Sequence, residues 1–337
     1  MKIIKLLPGI VLPIIVALLA CWLESLLPIH LIGSAVIAMF IGMFLNQFVR
    51  KTDVFATGLK FTSKKILKFA IILLGLSLNI TAILHVGQMS LTVMVFTLLT
   101  CFGGGYFISK ALGLNWKLSN LISAGTGICG GSAIAAIAPT IDADDNDVAY
   151  AMSATFLFDM AMIVLFPIMG RALGMTDQAF GIWAGTAVND TSSVTAAAAA
   201  WDGMHPGANT LDTAAIVKMT RTLAIIPITL VLALLRTRRE GKQGGAQVDI
   251  KKIFPWFVLL FLVASIITTV LPIPGAVTGF LKNASKFFIV MAMAAIGLNT
   301  DIVKLVKSGG KPIFMGLCCW VAIALVSLGV QHLLGIW

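Results

Sequence analysis

The sequence predicts an all-α polytopic membrane protein, and three observations support that prediction. Hydrophobic residues make up 59% of the 337 residues, charged residues make up only 11%, and the mean hydropathy is +1.00. A soluble domain is about half apolar and about a quarter charged. The composition therefore excludes an ordinary cytosolic enzyme, a nucleic-acid-binding module and a disordered chain. The third observation is a series of apolar stretches of about 20 residues, the length that crosses a bilayer.

Eleven apolar segments follow one another along the chain, at residues 7–23, 31–48, 66–84, 91–112, 118–141, 148–169, 179–200, 214–235, 253–271, 277–298 and 313–334. The first follows two lysines, but no cleavage site comes after it, so we expect a retained helix. The longest polar linker, residues 236–252, is too short to fold alone. Residues 1–337 are therefore predicted to form one integral membrane transporter domain.

Basic residues cluster in three of the short loops, and such clusters favour the cytoplasmic side. Their members are Arg50, Lys51, Lys60, Lys64, Lys65 and Lys68; Arg236, Arg238, Arg239, Lys242, Lys251 and Lys252; and Lys304, Lys307 and Lys311. This rule places the N-terminus in the cytoplasm and the C-terminus in the periplasm or outside the cell. Segments three and ten then cross in opposite directions.

An internal repeat relates segments five and seven. AGTGICGGSAIAAIA, at 124–138, aligns without a gap with AGTAVNDTSSVTAAA, at 184–198, sixty positions later. Shorter matches relate segments three and ten. Together they predict two permuted units, residues 31–173 and 177–337, and the orientation of segments three and ten makes these units inverted repeats, a common transporter plan.

Segments five and seven have two possible courses. Both could cross the membrane fully, or both could be re-entrant hairpins that enter from opposite faces. Inverted repeats require opposite directions for the two segments, which favours hairpins or similarly broken elements. Both courses stay open at this point.

Each of the two segments contains a stretch that disfavours helix. Residues 126–132 include three glycines, and each glycine costs a helix about 1 kcal/mol. Residues 189–193 are all polar. Ser132 is predicted to cap the helix after the first break, and Thr191 or Ser192 the helix after the second. Each helix start offers free N–H groups and a partial positive charge, so two starts that meet would bind an anion without a metal.

The predicted substrate site consists of residues at the two breaks and two basic residues in segment eight: Thr126, Cys129, Gly130, Gly131, Ser132, Asn189, Asp190, Thr191, Ser192, Ser193, Lys218 and Arg221. Close helix packing is the alternative explanation for the glycines. Lys218 and Arg221 share a helix face. They would supply countercharge to an anion or pair with Asp159 or Asp190.

Asp159 and Asp190 are the candidates for ion coupling, because ionisable residues within membrane segments are costly and usually functional. Asn79 and Asn299 are expected either to line the substrate path or to bond across helices. Lys286, near a segment end, is expected to reach the interface. The five cysteines and four histidines form no disulfide or metal-ligand pattern, so no metal or cofactor is expected. A nucleotide-binding loop is absent from the sequence.

The chain resembles the YeiH-type bacterial membrane family. The resemblance rests on CGGSAIAAIAP (129–139), FGIWAGTAVNDTSSVTAA (180–197) and AAIVKMTR (214–221), with GLSLNI (75–80) and IGLNTDI (296–302) in support. It implies a bacterial inner-membrane protein related to the cation:proton antiporter and anion transporter superfamily, with inverted repeats and interrupted helices. It also implies, more weakly, export of sulfate.

The leading hypothesis is a secondary active transporter that exports or exchanges a small anion, such as sulfate or another oxyanion, with a proton or sodium as coupling ion. The first alternative is a sodium- or proton-coupled cation antiporter that uses Asp159 and Asp190 as ligands. The second is a membrane enzyme or sensor without transport, for which the sequence offers no nucleophile–base pair; we therefore expect no enzymatic activity. The lipid bilayer is a partner, no nucleic acid is expected, and a homodimer is left open.

Overall fold

The computed structural model describes residues 6–26, 34–49, 54–240, 256–271, 273–301 and 309–337, without the side chains of Asp145 and Glu240. All regular structure in these ranges is helical. The helices are α1 Pro8–Leu26, α2 Ser34–Val49, α3 Ala56–Phe61, α4 Leu67–Gly75, α5 Ile80–Leu99, α6 Gly105–Leu112, α7 Trp116–Ala124, α8 Gly131–Ile141, α9 Asp145–Ala172, α10 Asp177–Ala187, α11 Thr191–Met204, α12 Thr210–Leu223, α13 Ile225–Glu240, α14 Trp256–Val270, α15 Gly275–Asn299 and α16 Gly310–Leu333.

Three π-helical stretches join successive helices, at Thr62–Ile66, Thr100–Gly104 and Gly125–Cys129. Among the described residues, six helical stretches are long and apolar enough to cross a membrane: Pro8–Leu26, Ile80–Leu112, Asn146–Ala172, Thr210–Arg239, Gly275–Asn299 and Gly310–Leu333. Large apolar side chains such as Phe44 and Phe48 point outward, as lipid contact requires. The protein is therefore an all-α, multi-pass membrane protein.

The third predicted segment differs from the structure at both ends. The helical run begins at Ala56, ten residues earlier than predicted, and α4 ends at Gly75. Asn79 then caps α5, its side-chain oxygen accepting a hydrogen bond from the N–H of Thr81 at 2.8 Å. The early start was missed because lysines in this stretch were assigned to a loop, whereas they lie on the helix and line cavities.

Segments five and seven are re-entrant hairpins. In the first hairpin, residues 116–141, the ammonium of Lys117 at the start donates to the carbonyl of Asp142 at the end, at 2.6 Å. In the second hairpin, residues 177–204, the indole of Trp201 donates to the carboxylate of Asp177 at 2.8 Å. A helix that crossed the membrane would separate its ends by about 30 Å. Each segment therefore enters and leaves at the same end of the molecule.

The two hairpins enter from opposite ends, because α9 runs from one to the other. Near its start, Asp147 accepts a hydrogen bond from Asn115 at 3.0 Å, beside the base of the first hairpin. Near its other end, Gly170 packs against the rings of Phe180 and Trp201, at the base of the second hairpin. We call these the first end and the second end of the molecule. The two hairpins thus enter the molecule from opposite ends.

Helices α12 and α13 return from the second end to the first. The carboxylate of Asp202, in the second hairpin, accepts from the N–H of Thr210 at 2.8 Å. Far along α13, the guanidinium of Arg236 lies 3.3 Å from the carboxylate of Asp142 at the first end. Helix α1 also connects the ends, since Gly9 packs against Gly58 and Glu24 lies near Gly203.

Basic side chains concentrate at the first end in the described part of the chain: Lys60, Lys110, Lys117, Arg236, Arg238, Arg239 and Lys311. Other members of the three predicted basic clusters lie outside the described residues: Arg50, Lys51, Lys242, Lys251, Lys252, Lys304 and Lys307. The orientation predicted from those clusters remains a prediction.

Candidate functional site

The two helix breaks lie sixty residues apart, in the register of the sequence repeat. Helix α8 begins at Gly131 after Gly130, and α11 begins at Thr191 after Asp190. Gly130 has φ +66° and ψ −140°, a conformation that glycine adopts readily and other residues avoid. The glycine thus turns the chain sharply between the arms of the first hairpin.

The predicted capping residues were wrong at both breaks. Gly130 occupies the cap position of α8, and no side chain caps that helix. Ser132 is therefore the second helical residue, because the backbone of Gly130 completes the turn two residues earlier. At α11 the cap is Asp190, whose carboxylate accepts from the N–H of Ser192 at 3.0 Å and from its hydroxyl. Aspartate is among the best N-cap residues, so it takes the place predicted for Thr191 or Ser192.

The hairpin tips touch each other. A Cβ added to Gly130 would lie 2.7 Å from Oδ1 of Asp190 and 2.8 Å from its Cβ. On α9, halfway between the two ends, Asp159 accepts a hydrogen bond from the N–H of Asp190 at 3.0 Å. The tips therefore meet at one level, near the middle of α9.

Lys218 and Arg221, on buried α12, bind both tips through backbone carbonyls. The Lys218 ammonium donates to Ile128 and Val188, each at 2.9 Å, and to Asn189. The Arg221 guanidinium donates to three carbonyls: Gly127 and Thr126, each at 2.6 Å, and Val188 at 3.2 Å. Among the described residues neither side chain forms an ion pair with Asp159 or Asp190, so the predicted pairing was wrong.

At each break, the end of one helix and the start of the next helix carry opposite partial charges. The carbonyls that end the first arm of each hairpin carry partial negative charge, and Lys218 and Arg221 neutralise them. The second arms begin at Gly131 and Thr191, where the N–H groups of the helix starts carry partial positive charge. Both residues line a cavity.

This cavity, which we call the tip cavity, has a volume of about 310 Å³. Its polar lining comes from both helix starts and from the helical run at 56–75, which supplies two lysines: Ser63, Lys64, Lys68, Gly131, Ser132, Asp190, Thr191 and Ser192. The other lining residues are apolar. Helix starts and lysine ammonium groups together make the polar lining electropositive, with Asp190 as the one acidic group among the lining residues.

A second cavity of about 560 Å³ continues from the tip cavity, and we call it the vestibule. The two share Ser63, Lys64, Phe156 and Ile296. The vestibule is also lined by Lys60 and Asn299, at the first end of the molecule. Lys60, Lys64 and Lys68 thus follow one another at every fourth position, from the vestibule to the hairpin tips.

Several buried polar atoms beside the tips lack a hydrogen-bond partner in the described structure. They are Oδ2 of Asp159, Oγ1 of Thr155 and both side-chain amide atoms of Asn189. Thr155 lies one turn before Asp159 on α9 and next to Gly125 in the first hairpin. These residues are at most 2% exposed, and unpaired polar groups at such burial are costly.

The remaining predicted site residues have varied positions. Thr191 and Ser192 line the tip cavity, whereas Thr126, Cys129 and Ser193 are buried and are not among its lining residues. Asn299 lines the vestibule. Asn79 lines neither cavity; it lies near Thr269 of α14. The Lys286 ammonium lies 4.0 Å from the Asp202 carboxylate.

Sequence reasoning missed the lysines of the tip cavity. Lys64 and Lys68 were counted only as part of a cytoplasmic loop cluster. Their spacing with Lys60, one lysine per helical turn, was the signal that could have placed them on one side of a helix. The π-helical stretch at Thr62–Ile66 joins α3 to α4 without a gap, so all three lysines lie on one helical run.

Comparison with known proteins identifies the family. Residues 8–316 match the family described as Conserved hypothetical protein 698. The chain belongs to this family. That result confirms the resemblance to the YeiH-type membrane proteins.

Similar proteins carry the name UPF0324 membrane protein. The chain is 48% identical to one from Clostridium tetani, over 97% of both chains. It is 50% identical to one from Streptococcus mutans and 46% identical to one from Fusobacterium nucleatum, each over 98% of both chains. No solved structure matches the chain.

Proposed function

We propose that the protein is a secondary active transporter of a small anion, and that the anion binds in the tip cavity. The observation that supports this most directly is the convergence of two helix starts and two lysines on one cavity. Four sources of positive potential at one place favour an anion, and none of them requires a metal. Transporters commonly place their substrate between broken helices near the membrane midplane.

The inverted hairpins support an alternating-access mechanism built on inverted repeats. Helix α9, which follows the first hairpin, runs from the first end to the second, and α12 and α13, which follow the second hairpin, run back. The predicted units 31–173 and 177–337 each contain one hairpin and the crossing helix after it. This arrangement is the plan of the cation:proton antiporter and anion transporter superfamily, to which we assign the protein.

The distribution of charge supports export across the bacterial inner membrane. Basic residues concentrate at the first end, which the positive-inside rule assigns to the cytoplasm. The vestibule lies at this end, so under that assignment it would give cytoplasmic anions access to the tip cavity. The lysine series would attract anions from the cytoplasm toward the tips.

The unpartnered oxygens beside the tips support coupling to a cation. Asp159 uses Oδ1 to hold the tip of the second hairpin, which leaves Oδ2 for a proton or a sodium ion. Thr155 and Asn189 would supply further oxygens. The same observation favours the alternative function, a cation antiporter, but that function gives no role to Lys64 and Lys68.

The test is transport by purified protein in liposomes, with sulfate as the first anion and with an imposed pH or sodium gradient. Lys68→Gln should reduce uptake at least tenfold, while Lys117→Gln, at the base of the first hairpin, serves as the matched control. Asp159→Asn should abolish the response to the gradient and retain anion binding. Sodium-dependent cation flux with no anion flux would overturn the proposal in favour of the antiporter.

A further inference from the structure

We propose that the substrate is an organic anion, with one anionic head group and an apolar body, rather than a bare inorganic oxyanion. This inference rests on the proposed function and names the substrate class of the same cavity. It follows from the size of the tip cavity and from the combination of polar and apolar residues in its lining.

The tip cavity is larger than an inorganic oxyanion needs. A water molecule occupies about 30 Å³ in the liquid, so 310 Å³ accommodates about ten groups of that size. A tetrahedral oxyanion has only five heavy atoms. Ligand cavities of about 300 Å³ and above are typical of small organic molecules.

The lining combines polar and apolar residues. The helix starts and lysines supply the polar groups, whereas the rest consists of apolar side chains, notably Leu67, Ile71, Met152, Phe156, Phe257 and Ile296. Four of these, Met152, Phe156, Phe257 and Ile296, are only partly buried. A fully hydrated inorganic ion would gain nothing from such a surface, while an apolar body would be removed from water against it.

The lining also suits one orientation of the ligand. Ser132 follows the first helix start and Thr191 begins the second helix, and their hydroxyls can donate to an anionic head group. Phe156 and Ile296 line the tip cavity and the vestibule alike, so an apolar body can extend from the tips toward the vestibule. A head group at the tips and a tail toward the first end would use both kinds of lining at once.

The experiment measures binding of a series of alkanesulfonates, from methanesulfonate to hexanesulfonate, to the full chain in lipid nanodiscs. Inorganic sulfate is the reference ligand. Hexylammonium, which has the same alkyl chain as hexanesulfonate and a positive head group, and empty nanodiscs are the controls for partitioning of the alkyl chain into lipid. Affinity should rise about fourfold for each added methylene that is buried. Lys68→Gln should weaken binding of all the sulfonates.

The variant that tests the apolar lining is Phe156→Ala, with the exposed Phe44→Ala as the matched control. Phe156→Ala should reduce the affinity for hexanesulfonate about tenfold and leave that for methanesulfonate unchanged. If this variant does not purify as folded protein, Ile296→Thr takes its place.

Affinity that does not change along the series, with sulfate bound in a Lys68-dependent way, would overturn this inference and leave the anion transporter intact. Failure of every anion to bind, while the wild-type protein is folded, would overturn both. Equal binding of hexylammonium and hexanesulfonate would also overturn the inference, because it would show no selection of the head group.

Discussion

Gly130 and Asp190 meet where the two hairpins touch, with an added Cβ on Gly130 only 2.7 Å from Oδ1 of Asp190. These residues precede the helix starts of α8 and α11 and stand at equivalent positions of the sequence repeat. The contact sets the separation of the two positive helix ends, and therefore the shape of the polar lining of the tip cavity. It leads to the first prediction.

Gly130→Ala should destabilise the hairpin tips and abolish anion binding. The methyl group would clash with Asp190, and alanine would be strained at φ +66°, where the cost is about 1–3 kcal/mol. Thermal unfolding and sulfate binding measure the two effects. Gly174→Ala is the matched control, because Gly174 has φ +64° and open space around its Cβ position. Equal losses in both variants would show that the contact with Asp190 does not matter.

Lys218→Met should loosen both hairpin tips together. The substitution removes a buried ammonium that donates to the Ile128, Val188 and Asn189 carbonyls, and each unpaired buried acceptor costs about 1–3 kcal/mol. We expect a loss of about 3 kcal/mol or more, with faster amide exchange at residues 125–130 and 186–190. Lys286→Met removes a partly exposed lysine and should have little effect. Faster exchange at one tip alone would contradict the shared role of Lys218.

Asp190→Asn should strengthen anion binding about tenfold, or about 1.4 kcal/mol. Asparagine caps helices about as well as aspartate, so α11 should keep its start. The substitution removes the one acidic group among the residues that line the tip cavity. Sulfate affinity at low and high salt tests this, with Asp177→Asn, at the base of the second hairpin, as the control. Weaker binding would indicate that Asp190 is a ligand for a coupling cation.

Cysteines placed at the bases of the two hairpins should react from opposite faces of the membrane. In a variant without the five native cysteines, Lys117→Cys should react with an impermeant maleimide only from the cytoplasm. Gln178→Cys should react only from outside. Lys311→Cys, also at the first end, should behave like Lys117→Cys. Labelling of both hairpin bases from one face would overturn the inverted arrangement.

The repeat and the breaks were the parts of the site that the sequence could predict. The sixty-residue offset places equivalent residues at both helix starts, and glycines or polar residues mark both interruptions. Opposite entry of the hairpins could be argued only from the orientation of distant segments. The hydrogen bonds of Lys117 and Trp201 close the two hairpin bases, and the contacts at the two ends of α9 place these bases at opposite ends of the molecule.

The partners of the buried basic residues were beyond sequence reasoning. Lys218 and Arg221 were predicted either to supply countercharge to an anion or to pair with Asp159 or Asp190, because charged residues within membrane segments are costly and usually functional. They bind backbone carbonyls instead, and a carbonyl is present at every residue, so no sequence pattern indicates which ones are left unpaired. The lysines of the tip cavity were misassigned for a related reason: a charged residue near the membrane boundary is compatible with a loop or with a helix that lines water.

The attachment of both tips to α12 limits how a transporter of the proposed kind could change its access. Neither hairpin can withdraw by itself without breaking several hydrogen bonds to Lys218 or Arg221. In such a transporter the tips, α9 and α12 would travel as a single block past the surrounding helices, and the cargo between them would move with that block instead of passing through a moving constriction.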